Sequence, residues 1–210
     1  MTKLFIDIET VRSHDTFESL PKEMRDAYNK KFVRETDDLL MPIERHYEEK
    51  AGLFAEFGKI VCVSMGYLDG TDIRLTSFCS DNEIEILKQT ASAIEKADGL
   101  VAHNGKDFDY PWLCRRMLIK AVPLPSLLRI QNLKPWEIKL EDTVEMWKFG
   151  QFSHKVSLAV MCHLFGIPSP KQNGDGSGVW DMYKAKDFES IAKYCEGDVT
   201  ALVKLYERLK

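Results

Sequence analysis

Residues 4–10 read LFIDIET, an apolar run interrupted by two carboxylates, Asp7 and Glu9. In an extended strand, residues two apart project from the same face, about 6.5–7 Å apart. Asp7 and Glu9 therefore share one face, and Ile6 and Ile8 share the other. An edge strand with one wet face explains this alternation as readily as a site does. What decides between them is whether other acids are folded against the same face.

Two further stretches offer such acids. In VAHNGKDFDYPWL, at 101–113, an apolar segment ends in His103 and Asn104 and a helix opens near Asp109. Asp109 is either a simple helix cap, favoured by the free N–H groups there, or a ligand at the carboxyl end of a strand, where open α/β sheets bind their substrates. In YCEGDVTALVKLY, at 194–206, Tyr194 and Asp198 lie four apart and share a helical face, while Ile191, Val199, Leu202 and Leu205 mark the core stripe. Gly197 costs roughly 1 kcal/mol of helix propensity, which is tolerable where something must approach closely. A solvated helix face is the plainer reading. If the fold gathers Asp7, Glu9, Asp109 and Asp198, their repulsion raises pKa values and calls for cations. Oxygen ligands select hard ions, Mg²⁺ or Mn²⁺ over zinc.

Around these stretches the pattern is that of an α/β chain. Strands are expected at 3–8, 59–67, 73–78 and 99–104, with a turn at Gly70. Helices are expected at 81–96, capped by Asp81 with Ile84, Leu87, Ala91 and Ile94 inward, and at 109–120, with Pro111 in the first turn. Two more follow at 157–165, closed by Gly166, and at 187–209, capped by Asp187. PSPKQNGDGSGVW, at 168–180, reads as a loop. At 210 residues the chain fits a single domain, 1–210, with a charged, helix-compatible insertion at 13–51.

Composition excludes several classes. A hydrophobic fraction of 44% with 12 Gly and 8 Pro rules out a fibrous or disordered chain. No apolar run reaches the roughly 20 residues of a membrane span, and a cytoplasmic setting is expected, with no membrane partner. Five scattered cysteines, an odd number without a CxxC pair, lead us to expect reduced thiols and no structural zinc. A net charge of −4 argues against wide neutralisation of duplex phosphates, though not against gripping a strand end.

Taken in order, FIDIET, HNGKDFDYP and YCEGD resemble the three motifs of the DEDD superfamily of 3′–5′ exonucleases, and most closely the proofreading exonuclease domains of family B DNA polymerases. The similarity extends over FGKIVCVS, SLAVMCHLFGIP and DGSGVWDMY. It implies a ribonuclease H-like fold, a mixed five-stranded sheet flanked by helices. It implies two ions, Mg²⁺ or Mn²⁺, held by Asp7, Glu9, Asp109 and Asp198. Tyr194, matching the tyrosine variant of the family, would orient the attacking water; Lys193 stands where the histidine variant has its histidine. Thr10, Asn104 and Phe108 would contact substrate, although Asn104 bracing the loop is an alternative and Phe108 read as a core aromatic seating the helix is an equal one. The implied reaction is release of 5′-mononucleotides from the 3′ end of single-stranded DNA, or RNA less readily. The alternative function is a non-catalytic module of the same fold that binds nucleic-acid ends. With no polymerase sequence following, a stand-alone role or a DNA repair or replication partner is expected. Residues 13–51 either cover the substrate cleft or form a plain solvated helical pair. Lys134, Trp136, Trp147, Lys148, Phe149, Phe152, His154 and Lys155 interleave aromatic and basic side chains; base stacking is one reading, and core packing of the aromatics is the expectation. His103 is a poor candidate ligand for a hard ion, and Asp107 has no assigned role.

Overall fold

A computed structural model of the protein describes residues 2–38, 40–152, 155–168 and 178–210. Strand β1 (Lys3–Arg12) occupies the middle of a five-stranded sheet with order β3-β2-β1-β4-β5. Its neighbours are β2 (Gly58–Asp69), antiparallel, and β4 (Gly99–Ala102), parallel. The edges are β3 (Asp72–Cys79), antiparallel to β2, and β5 (Leu140–Asp142), parallel to β4. This is the mixed, helix-flanked sheet of the ribonuclease H-like kind. β5 escapes a pattern search because two of its three residues are acids.

The helices are α1 (Lys22–Asp38), α2 (Ile43–Lys50), α3 (Glu83–Ile94), α4 (Asp109–Ile119), α5 (Thr143–Lys148), α6 (Leu158–Phe165), α7 (Val179–Lys184) and α8 (Phe188–Leu209) among the described residues. α1 and α2 lie within 13–51 and close over an aromatic cluster of Tyr28, Phe32, Tyr47 and Phe57. Most of the stretch read as a loop, 169–177, lies outside the described residues, and so does His154. Val179 and Trp180, at its end, begin α7 instead.

Alternation on β1 divides the interior. Ile6 and Ile8 enter the core with Ile86 and Leu87 of α3 and Trp112 and Leu113 of α4. Phe5 packs on the opposite face with Val199, Leu202 and Val203 of α8, and Val11 joins Val179, Ile191 and Cys195 there. Asp7 and Glu9 belong to this second face, flanked by Phe5 and Val11. A register shift between Glu9 and Thr10 leaves Glu9 opposite Cys62 and Thr10 opposite Ile60, a bulge of the kind that re-aims side chains.

Three expectations need correction. Cys62 and Cys79 form a disulfide, because the β2–β3 register sets them side by side with Cα atoms 4.2 Å apart, a proximity that their separation of 17 residues conceals. Asn82, not Asp81, caps α3, its side chain accepting from the Glu85 amide, while Asp81 pairs with Lys59 and Lys186. Ile84 is exposed and Ile86 buried. Leu87, Ala91 and Ile94 face the core as expected, and Glu83 also turns inward, against Arg116 of α4.

That pair is buried and two-pronged. Arg116 Nε donates to Glu83 Oε1 at 2.8 Å and Nη2 to Oε2 at 2.6 Å, and Nη1 reaches the Ala55 carbonyl at 2.8 Å. Oε1 also accepts from the Ile60 amide at 2.8 Å, so one ion pair joins α3, α4 and the entry to β2. Removing one partner leaves the other charge desolvated. Glu83→Gln and Arg116→Met should each lower unfolding free energy by about 3–5 kcal/mol in urea titrations, and the double variant by less than the sum.

Candidate active site

The three acid-bearing stretches converge at one end of the sheet. β1 supplies Asp7 and Glu9, the start of α4 supplies Asp109, and α8 supplies Asp198 and Tyr194. Glu9, Asp109 and Asp198 are all buried, at 8%, 3% and 7% exposure, which a solvated strand face or surface helix would not give. Burial first, and then the charges of Glu9, Asp109 and Asp198, hold the Asp7 carboxyl well above the usual range. Asp109 is pushed up to about 7, chiefly by burial, against hydrogen bonds from its own amide and that of Ile8, which hold it down. Asp109 Oδ1 is buried with no hydrogen-bond partner among the described residues.

Two side chains from α8 complete this face. Burial, followed by the charges of Asp198, Glu9 and Asp7, raises the Tyr194 phenol, so it stays protonated and can donate. The Cys195 thiol, raised well above its ordinary value by burial and then by Asp7 and Glu9, is also protonated and lies 3.3 Å from Asp7 Oδ2 as a donor. Asp7, Glu9 and Cys195 each bring one candidate ligand atom within 4.8 Å of the others. Cys195 is absent from the sequence-based site; its only signal was a place next to Tyr194.

The turn before α4 is held from below. Asp142, buried at the end of β5, accepts from the Asn104 amide and the Lys106 amide, each at 2.9 Å, and from the Val144 amide at 2.9 Å as the cap of α5. Asn104 sits at φ +60, within reach for an asparagine. Gly105 follows because a Cβ there would run into Ala102 and come within 3.1 Å of the Tyr110 ring. His103 bridges Thr143 Oγ1 and the Val156 carbonyl at 2.8 Å each, a satisfied loop histidine. Asp107 points outward to Lys155, 2.8 Å away.

A cleft of about 680 Å³ opens beside Glu9. Thr10, Phe108, Arg12 and Trp180 line it, with Glu48, Glu49 and Lys50 from the end of α2 on its rim. Thr10 donates to the Gly52 carbonyl at 2.6 Å. Phe108 is half-buried, its ring 5.8 Å from Trp112, so it both seats α4 and faces the cleft. Arg12 lies 3.6 Å above the Trp180 ring and donates to the Glu48 carbonyl at 3.0 Å. Neither residue was singled out from sequence, since β1 extends past its expected end at Ile8 and α7 was not expected. Asn104 lies on the turn and does not line the cleft.

A mixed, ribonuclease H-like sheet thus carries a carboxylate cluster on the α8 side of its central strand. A sequence model described as "predicted 3′-5′ exonuclease related to the exonuclease domain of PolB" matches residues 53–210, and the chain belongs to that family. Among solved structures, the chain is similar to the family B DNA polymerase from the hyperthermophilic archaeon Pyrobaculum calidifontis, with a TM-score of 0.64 at 17% identity. All of this chain is covered, against 24% of the polymerase, so the likeness is one of fold over about a quarter of that enzyme. No curated protein matches by sequence. No helix among the described residues is long and apolar enough to cross a membrane.

The donor set fits hard divalent cations. Carboxyls whose pKa is raised by burial and repulsion, one with a buried oxygen that has no hydrogen-bond partner among the described residues, are what cation binding would relieve. The pH dependence has a defined sign. A carboxyl whose folded-state pKa lies above its unfolded value costs nothing below the unfolded value and destabilises increasingly as pH rises through the folded one. In chelator, Asp109→Asn should therefore melt higher than wild type at about pH 8, the advantage shrinking towards about pH 4. Mg²⁺ or Mn²⁺ should raise the wild-type melting temperature at pH 8 and leave the variant less affected. Differential scanning fluorimetry over this range reads both effects.

Proposed function

We propose that the protein is a divalent-cation-dependent 3′–5′ exonuclease that releases 5′-mononucleotides from the 3′ end of single-stranded nucleic acid, DNA in preference to RNA. The observation that carries this reading is the convergence of Asp7, Glu9, Asp109 and Asp198 on one another, with the Asp7 pKa raised by burial and then by the charges of the other three. A fold gains nothing from such repulsion, and perturbed groups of this kind mark functional sites.

In this reading Asp7, Glu9, Asp109 and Asp198 would hold the two ions. When bound, Mg²⁺ or Mn²⁺ supplies the positive charge that eases deprotonation of water and the build-up of negative charge at the scissile phosphate. Tyr194, protonated, donates a hydrogen bond that aims the attacking water rather than taking its proton. Thr10 and Phe108 border the cleft next to Glu9 and contact the terminal nucleotide, Phe108 by its ring face. Asn104 braces the turn from which Asp109 projects. The whole chain, 1–210, acts as one domain, with 13–51 forming the wall at Glu48, Glu49 and Lys50. A replication or repair protein that delivers a frayed 3′ end is the fitting partner, in the cytoplasm.

The test uses labelled single-stranded DNA and RNA with Mg²⁺, Mn²⁺ or EDTA. Stepwise shortening from the 3′ end is expected with either metal and none in EDTA. Asp7→Ala should reduce the rate by on the order of a hundredfold or more. Tyr194→Phe should reduce it by about tenfold to a hundredfold, since orientation alone is lost. Retention of strand ends without any shortening would return the protein to an end-binding role.

A further inference from the structure

The interleaved aromatic and basic stretch divides unexpectedly. Trp147 packs beside Phe165 and Leu205. Phe149 and Phe152, expected in the core, stand 87% and 99% exposed. Phe149 also ends α5 in the left-handed region at φ +46, a position that glycine fills more cheaply, and Gly150 at φ +85 continues the reversal. A strained aromatic that gains no burial in return suggests a use outside the core.

Its surroundings identify that use. The segment is fastened to the turn that carries Asn104, Phe108 and Asp109. Lys155 pairs with Asp107 at 2.8 Å, and the Val156 carbonyl accepts from His103 Nε2 at 2.8 Å. Lys148, at the root of the loop, is held by Glu145 at 2.6 Å. Lys148 on one side of the two phenylalanines and Lys155 on the other thus lie beside Asp107, two residues from Asp109, which anchors both ends of the stretch at the turn that carries this acid. We propose that Phe149 and Phe152 form a stacking platform for unpaired bases of the strand whose 3′ end enters the acidic cluster. The proposal rests on the exonuclease reading for the identity of the ligand. Flat, exposed rings accept any base through its π face, as a sequence-tolerant exonuclease requires. The lysines beside them are already matched by carboxylates, so stacking rather than phosphate neutralisation supplies the affinity, and the salt dependence should be shallow.

The experiment is fluorescence anisotropy of labelled oligothymidylate with the full chain in EDTA. Phe149→Ala with Phe152→Ala should weaken binding by about tenfold or more, and the paired tyrosine substitutions should restore it. An oligonucleotide carrying abasic sites upstream of its 3′ end should bind wild type as weakly as oligothymidylate binds the double alanine variant. Unchanged affinity in the alanine variant would overturn the platform. So would an equal loss on intact and abasic strands, or a loss that tyrosine does not repair. Because both side chains are exposed, the melting temperature should not move, which separates lost stacking from lost folding. Failure of the exonuclease reading would register separately, as absence of metal-dependent shortening by wild type, and leaves the binding comparison intact.

Discussion

The structure depends on the alternation of one strand. β1 buries Ile6 and Ile8 against α3 and α4 and turns Asp7 and Glu9 towards α8. A shift of one residue would exchange the two sets, leaving carboxylates in the main core and isoleucines at the site. Core packing and site geometry are therefore the same constraint. The strand is central, its backbone is paired on both sides up to Phe5, and the acids follow directly on that doubly paired stretch.

The repulsion this creates is contained by neutral donors. Cys195 reaches Asp7, the Ile8 amide helps to hold down the Asp109 pKa, and the phenol of Tyr194 remains a donor. None carries a positive charge. By contrast the buried Glu83 is matched by Arg116 with two hydrogen bonds. The chain thus treats its buried acids differently: Glu83 is matched by a cation from the protein, Asp142 by backbone amides, and Asp7 and Asp109 at the sheet end keep raised pKa values, the condition that a cation from solution can relieve.

What the sequence made legible follows from signal strength. The acid motifs, the cap at Asp187 and the stop at Gly166 are local patterns that survive folding. The inward turn of Glu83 on α3 escapes a reading of the sequence because a buried glutamate looks like a surface residue until its arginine, 33 positions away, is known. Cys62 and Cys79 were read as thiols because their pairing is a matter of register. Asp142 sits in a strand of three residues and would pass for a surface acid, yet it organises the turn before α4. The convergence of Asp7, Glu9, Asp109 and Asp198 could be anticipated only through resemblance, since no local rule brings a strand, a turn and a distant helix together. Phe149 and Phe152 carry the opposite lesson: aromatic residues in a mixed stretch were expected inside and lie outside.

Asp142 has a mechanical consequence. Its two oxygens bind amides from both sides of a junction, the turn at Asn104 and Lys106 and the start of α5 at Val144. Any excursion of the turn away from β5 would strip hydrogen bonds from a buried carboxylate, at a cost on the order of 1–3 kcal/mol for each group left unpaired. The restoring force is correspondingly steep. The wall of the cleft that bears Asp109 is therefore stiff before any ligand arrives, and it acts as a fixed jig against which a flexible strand end would have to align itself.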